Sequence, residues 1–166
     1  MIKSPGEIPD IYKDKPRIFL AGSIEMGVAD GWQESAAATL ASIADDQFVL
    51  LNPRRDDWGS AWQPVREDPH FRQQVRWELS SLDQADWILM YFDPATKSPI
   101  SLLELGLHAN SGKLVVVCPD GFWRKGNVDI VCELYPIVQC NTLADACSYI
   151  VEQESQKKLR GQRSSR

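Results

Sequence analysis

Asp86-Trp87-Ile88-Leu89-Met90-Tyr91-Phe92-Asp93-Pro94 and, after a three-residue gap, Ser98-Pro99-Ile100-Ser101-Leu102-Leu103-Glu104-Leu105-Gly106 set the plan of this chain. An apolar run of strand length ends at an Asp-Pro turn signal, and Ser-Pro then opens an apolar helix. Ser98 suits the N-cap and Pro99 the first helical position, so Glu104 falls in the second turn among Leu102, Leu103, Leu105 and Leu107. Burial makes a carboxylate there costly to ionise and fixes its direction. Such an acid suits a nucleophile or general base at the mouth of a parallel sheet.

Working outward, Arg17–Ala21 reads as a short buried strand and Gly22-Ser23-Ile24 as its turn toward a helix carrying Trp32, Ala36, Leu40 and Ile43 at helical spacing. Phe48–Leu51 is a second strand, and the polar stretch from Asn52 to Pro69 is long enough to form a lid or wall. Phe71, Val75, Glu78, Leu79 and Leu82 mark the helix before the Asp86–Phe92 strand. Lys113–Cys118 is a fourth strand, Tyr135–Val138 a fifth, and Leu143, Ala146, Cys147 and Ile150 a closing helix. Alternation at this spacing predicts an α/β domain: a doubly wound, parallel, five-stranded sheet with helices on both faces and a ligand site at the carboxyl ends of its strands. We place an extended lead-in at residues 1–15, the domain at 16–152 and a basic, flexible tail at 153–166.

At 166 residues, 43% hydrophobic and 25% charged, the chain suits one packed domain. A formal charge of -5 argues against a nucleic-acid partner and for a small molecule. Cys118, Cys132, Cys140 and Cys147 show no metal or redox spacing, and Met1-Ile2-Lys3-Ser4-Pro5 lacks the apolar core of a signal peptide. We expect a cytoplasmic protein with reduced thiols and no membrane span.

Polar or small residues end each strand: Gly22-Ser23, then Asn52 and Arg54, then Asp93 and Ser98. Gly22-Ser23 ahead of a helix offers backbone N–H groups to an anion or a sugar hydroxyl, or is an ordinary turn. Asp93 holds a ligand or opens a turn, and Ser98 donates to a phosphate, caps its helix, or does both. Glu78 alone reads as a solvated helix acid. Trp58, Trp62 and Trp123 fall in loops, where an indole stacks on a base or covers the core edge. The loop Gly121-Phe122-Trp123-Arg124-Lys125-Gly126-Asn127 joins aromatic, cationic and amide groups as a nucleotide site would. No GxGxxG or GxxxxGK[ST] is present, and His70 and His108 share no spacing with metal-ligating partners, so neither cofactor nor metal is expected.

Phe19-Leu20-Ala21-Gly22-Ser23-Ile24, Ala85-Asp86 before the apolar strand, and Ser98 to Gly106 with Glu104-Leu105-Gly106 together resemble the nucleoside 2-deoxyribosyltransferase superfamily, which includes the 2′-deoxynucleoside 5′-phosphate N-hydrolases. The resemblance spans roughly residues 17 to 118. It implies a flavodoxin-like fold, Glu104 as the nucleophile that attacks the anomeric carbon, and Glu78, eight residues before Asp86, as the acid that helps the base depart. Ser98 stands six residues before the nucleophile, where the nucleotide hydrolases carry a phosphate-binding Ser, and Gly22-Ser23-Ile24 is similar to their phosphate turn. Asp93 and Asn127 complete the expected substrate-binding set. Phe19 stands where the family usually places a Tyr that bonds the nucleophile, and Glu25-Met26-Gly27 replaces the hydrolases' Arg-bearing turn. The implied activity is cleavage or transfer of the N-glycosidic bond of a (deoxy)nucleoside or its 5′-monophosphate. The alternatives are a nucleotide-binding sensor with impaired catalysis and a glycohydrolase acting on an NAD-type dinucleotide. The family's habit also implies a homodimer or larger oligomer.

Overall fold

The computed structural model describes residues 1–24, 31–55 and 62–164, the side chains of 163 and 164 apart. Its sheet contains β1 (Ile2–Lys3), β2 (Arg17–Gly22), β3 (Val49–Asn52), β4 (Trp87–Tyr91), β5 (Leu114–Val117) and β6 (Val138–Cys140). The helices are α1 (Trp32–Ala44), α2 (Pro69–Gln84), α3 (Pro99–His108), α4 (Lys125–Leu134) and α5 (Leu143–Ser164). All strand pairs are parallel, in the order β1-β3-β2-β4-β5-β6. The expected doubly wound α/β fold is present, consistent with a flavodoxin-like architecture.

The sheet has six strands rather than five, because Ile2 and Lys3 of the lead-in pair with Leu51 and Asn52 at the β3 edge. The last strand begins at Val138, where the expectation started it at Tyr135. Tyr135 instead terminates α4, its N–H donating to Val131 O. Helix α5 continues through residue 152 to Ser164, so the expected tail begins within a helix.

Alternation along the strands sorts the core into two layers. Phe19, Ala21, Ile88, Met90, Phe92 and Val116 pack with Leu82 of α2, Leu105 of α3 and Val128 of α4. Ile18, Leu20, Leu89, Val115 and Val117 pack with Trp32, Ala36 and Leu40 of α1 and Ala146, Cys147 and Ile150 of α5. Ile43, at helical spacing from Trp32, Ala36 and Leu40, is 45% exposed, whereas those three are buried. Helix α2 starts where Asp68 Oδ1 accepts from the backbone N–H groups of His70 and Phe71, with Pro69 at the first position. The bonds from Phe71 and Gln63 hold the Asp68 carboxyl below its usual range.

Chain order reverses between β2 and β4, since β2 is followed by β3 on one side and β4 lies on the other. Open parallel sheets bind ligands at such a point, beyond the carboxyl ends of the strands. Here those ends are Gly22-Ser23 and Phe92-Asp93.

Candidate active site

Helix α3 brings Glu104 to the layer it shares with α2. Ser101, Glu104 and Leu105 lie on its buried face, whereas Ile100, Leu103 and Leu107 are exposed. The apolar sleeve expected around the acid is therefore one-sided. Glu104 is 7% exposed and accepts no hydrogen bond from any described residue. Burial, followed by the charge of Glu78, pushes its carboxyl up to about 8.

Glu78 reaches the same region from α2. Burial raises its carboxyl above the usual range, opposed by the hydrogen bond that Gln74 donates one turn earlier. Two acids on separate helices, each hard to ionise, titrate as a pair. A pair that shares one proton presents one oxyanion and one acid. That combination can attack carbon and protonate a leaving group.

The second constellation joins the ends of β2 and β4. Ser23 Oγ accepts from Asp93 N at 2.8 Å and lies 2.8 Å from Thr96 Oγ1 and 2.6 Å from Ser98 Oγ. Thr96 Oγ1 and Ser98 Oγ are 2.7 Å apart, and Thr96 also donates to Asp93 O. All three hydroxyl residues are buried. Trp32 Nε1 donates to Ser23 O, and Ser23 N donates to Tyr91 O, so the turn is anchored on both sides. Ser98 occupies the N-cap position of α3, but at φ 44 its hydroxyl makes no capping bond; it turns into this cluster instead. Asp93 Oδ1 accepts from Ala95 N, the turn contact its sequence allowed.

Glu104 and Glu78 thus meet on one layer, and Ser23, Asp93 and Ser98 meet at the strand ends beside Gly22. Ile24 follows Ser23, half-buried. Asn127 stands exposed on the first turn of α4 and makes no side-chain hydrogen bond to any described residue. Trp62 stacks on His70 at 5.0 Å, with the Arg55 guanidinium 4.6 Å from its ring, while Trp123 Nε1 donates to Lys97 O. These indoles fasten loops to the domain. Trp58 and Glu25-Met26-Gly27 lie outside the described residues, as does part of the stretch from Asn52 to Pro69 read as a lid or wall.

Phe19 is fully buried with its ring 6.2 Å from that of Trp77, so no phenol reaches the acids from this position. Tyr91 ends the neighbouring strand, β4. Its ring lies 5.5 Å from Trp32 in the layer of α1 and α5, on the other face of the sheet from Phe19. Sequence reasoning missed Thr96 and Gln74. Thr96 is three residues beyond Asp93, where a turn brings its hydroxyl back; Gln74 precedes Glu78 by one helical turn, which was the available signal.

No curated protein matches the chain. A family model described as nucleoside 2-deoxyribosyltransferase like matches residues 15–122, covering both acids and the hydroxyl cluster, and the chain belongs to that family.

Proposed function

We propose that this protein is an N-glycosidase or glycosyltransferase that acts on a (deoxy)nucleoside or its 5′-monophosphate through a glycosyl ester on Glu104. The observation that carries the reading is the pair of acids, buried Glu104 on α3 and half-buried Glu78 on α2, with the charge of Glu78 raising the carboxyl of Glu104, at the layer below the sheet's switch point. A Glu104 oxygen forms a bond to C1′ as the C1′–N bond breaks, and the bond's electron pair goes to the base nitrogen. Glu78 gives its proton to the departing base. Water or a second base, deprotonated by Glu78, then displaces Glu104, so that two inversions retain the configuration at C1′.

The hydroxyls of Ser23 and Ser98, adjoining the first turn of α3, support a 5′-phosphate or 5′-hydroxyl contact. Self-association is supported by Ile100, Leu103 and Leu107, which expose one stripe of α3 on the helix that carries the nucleophile. The sensor reading has its own support: Glu104 accepts no orienting hydrogen bond from any described residue, and Phe19 can provide none.

Chromatography of free base decides between these. Nucleosides, deoxynucleosides and their 5′-monophosphates are incubated with the protein and with Glu104→Ala, with and without an acceptor base. Release that depends on Glu104 is expected. Ligand-induced shifts in melting temperature without released base would replace the enzyme by the sensor.

A further inference from the structure

Gln74 is 2% exposed on α2, and the chemistry above assigns it nothing. Its amide nitrogen is 2.8 Å from Pro53 O and 2.7 Å from Glu78 Oε1, and its amide oxygen is 2.5 Å from Ser4 Oγ. A peptide carbonyl can only accept, so the atom facing Pro53 is the NH₂ group. Its two hydrogens are then assigned to Pro53 O and Glu78 Oε1, and Ser4 donates to the amide oxygen. The anchors are themselves held. Ser4 is buried and its N–H donates to Asn52 O, while Trp77 Nε1 donates to Gly6 O one helical turn along. The N-terminal arm thus grips α2 on both sides of the bond from Gln74 to Glu78.

We propose that Gln74 is the positioning residue of the acid: it keeps Glu78 Oε1 as an acceptor, so that the proton delivered to the leaving base resides on Oε2. The proposal rests on the base-cleaving reading above. In that step the Oε2–H bond breaks, an N–H bond forms on the base, and the electron pair left on Oε2 makes Glu78 a carboxylate. The Gln74 N–H already points at that developing charge and needs no reorientation to stabilise it. Among the described residues, Glu104 of α3 is the titratable group of another element that interacts with Glu78, and the Glu78 charge raises the Glu104 carboxyl. Within α2, the Gln74 hydrogen bond opposes the rise that burial gives Glu78.

The test follows the Glu78 carboxyl by ¹³C NMR titration and measures kcat and KM against pH in the wild type, Gln74→Met, Gln74→Glu and Ser4→Ala. Gln74→Met removes the donor and is expected to raise the Glu78 titration by about one pH unit, carrying the alkaline limb of kcat with it. It lowers kcat ~10-fold and leaves KM within about twofold. Gln74→Glu keeps a polar side chain at the site and raises the same titration through its charge, which serves if the Met variant does not fold. Ser4→Ala lowers the melting temperature but leaves Pro53 and Glu78 holding the amide, so neither titration nor limb moves. An unmoved Glu78 titration in a folded Gln74 variant would overturn the proposal, as would an equal shift in Ser4→Ala. Absence of base release by the wild type would remove the enzymatic reading, while the NMR titration would still decide whether Gln74 sets Glu78.

Discussion

A Cβ built on Gly22 would stand 2.1 Å from the carbonyl oxygen of Tyr91, its partner across β2 and β4. The residue also has φ 131, a conformation that L side chains rarely adopt. The switch point is thus closed by a backbone approach that only glycine permits, and the contact sets how Ser23 reaches Asp93. Gly22→Ala is expected to cost about 3 kcal/mol or more, from strain and forced separation of the strands. Exposed Gly106 in α3 has nothing within 4 Å of an added Cβ, and Gly106→Ala is expected to gain about 0.5–1 kcal/mol from helix propensity. Urea unfolding of the two variants checks the contrast.

The central strands were legible because Phe19, Leu89 and Val116 lie in runs buried on both faces, which need no alternation to be recognised. Glu104 was legible because a lone acid in the Ser98-to-Gly106 helix has no ordinary surface reading. The edges were less so. Ile2 and Lys3 become a strand only by pairing with residues about fifty positions away, and Val138-Gln139-Cys140 is a short edge whose middle residue is exposed. Gln74 sits in a polar helix where a glutamine ordinarily faces water. Its burial follows from Ser4 folding back across seventy residues, which local pattern does not encode.

Glu104 links activity to stability with opposite signs. Its folded carboxyl is raised to about 8 from an ordinary 4.5, so between those pH values the native state holds a proton that the unfolded chain releases. Stability from this residue is therefore greatest below pH 4.5 and falls as pH rises toward 8. Glu104→Gln removes the titrating group. It is expected to lower base release by about 10³-fold or more, and to be more stable than the wild type at pH 8 by roughly 2–4 kcal/mol. Thermal denaturation across pH checks this: the stability difference should shrink toward pH 4.5, and a constant difference would mean that ionisation of Glu104 is not its source.

The hydroxyl cluster has an uneven proton count. The contacts Ser23–Thr96, Ser23–Ser98, Thr96–Ser98 and Thr96 to Asp93 O must share three hydroxyl hydrogens. With Thr96 donating to Asp93 O, the other three contacts draw on the hydrogens of Ser23 and Ser98. Ser23→Ala deprives the buried Asp93 N–H of its acceptor and is expected to cost about 1–3 kcal/mol. Ser98→Ala relieves the count and is expected to change stability by under about 1 kcal/mol. If Ser98 binds the 5′ group, the same variant raises KM for a 5′-monophosphate by about tenfold more than KM for the nucleoside. Paired unfolding and KM measurements separate the structural role of Ser23 from the binding role of Ser98.

The remaining prediction concerns the outer stripe of α3. Ile100, Leu103 and Leu107 are 60%, 59% and 58% exposed, whereas Leu105 on the opposite side is buried. Three large apolar side chains on successive turns cost solubility unless something covers them. Because Glu104 lies on the same helix, a second copy covering the stripe would also fix the orientation of the nucleophile's helix. Leu103→Lys with Leu107→Lys is expected to shift sedimentation toward the monomer while changing monomer stability by no more than about 0.5 kcal/mol, as exposed substitutions do. Base release should fall along with assembly. Unchanged sedimentation would show that the stripe does not join copies of this chain, and unchanged turnover in a confirmed monomer would show that each site is complete by itself.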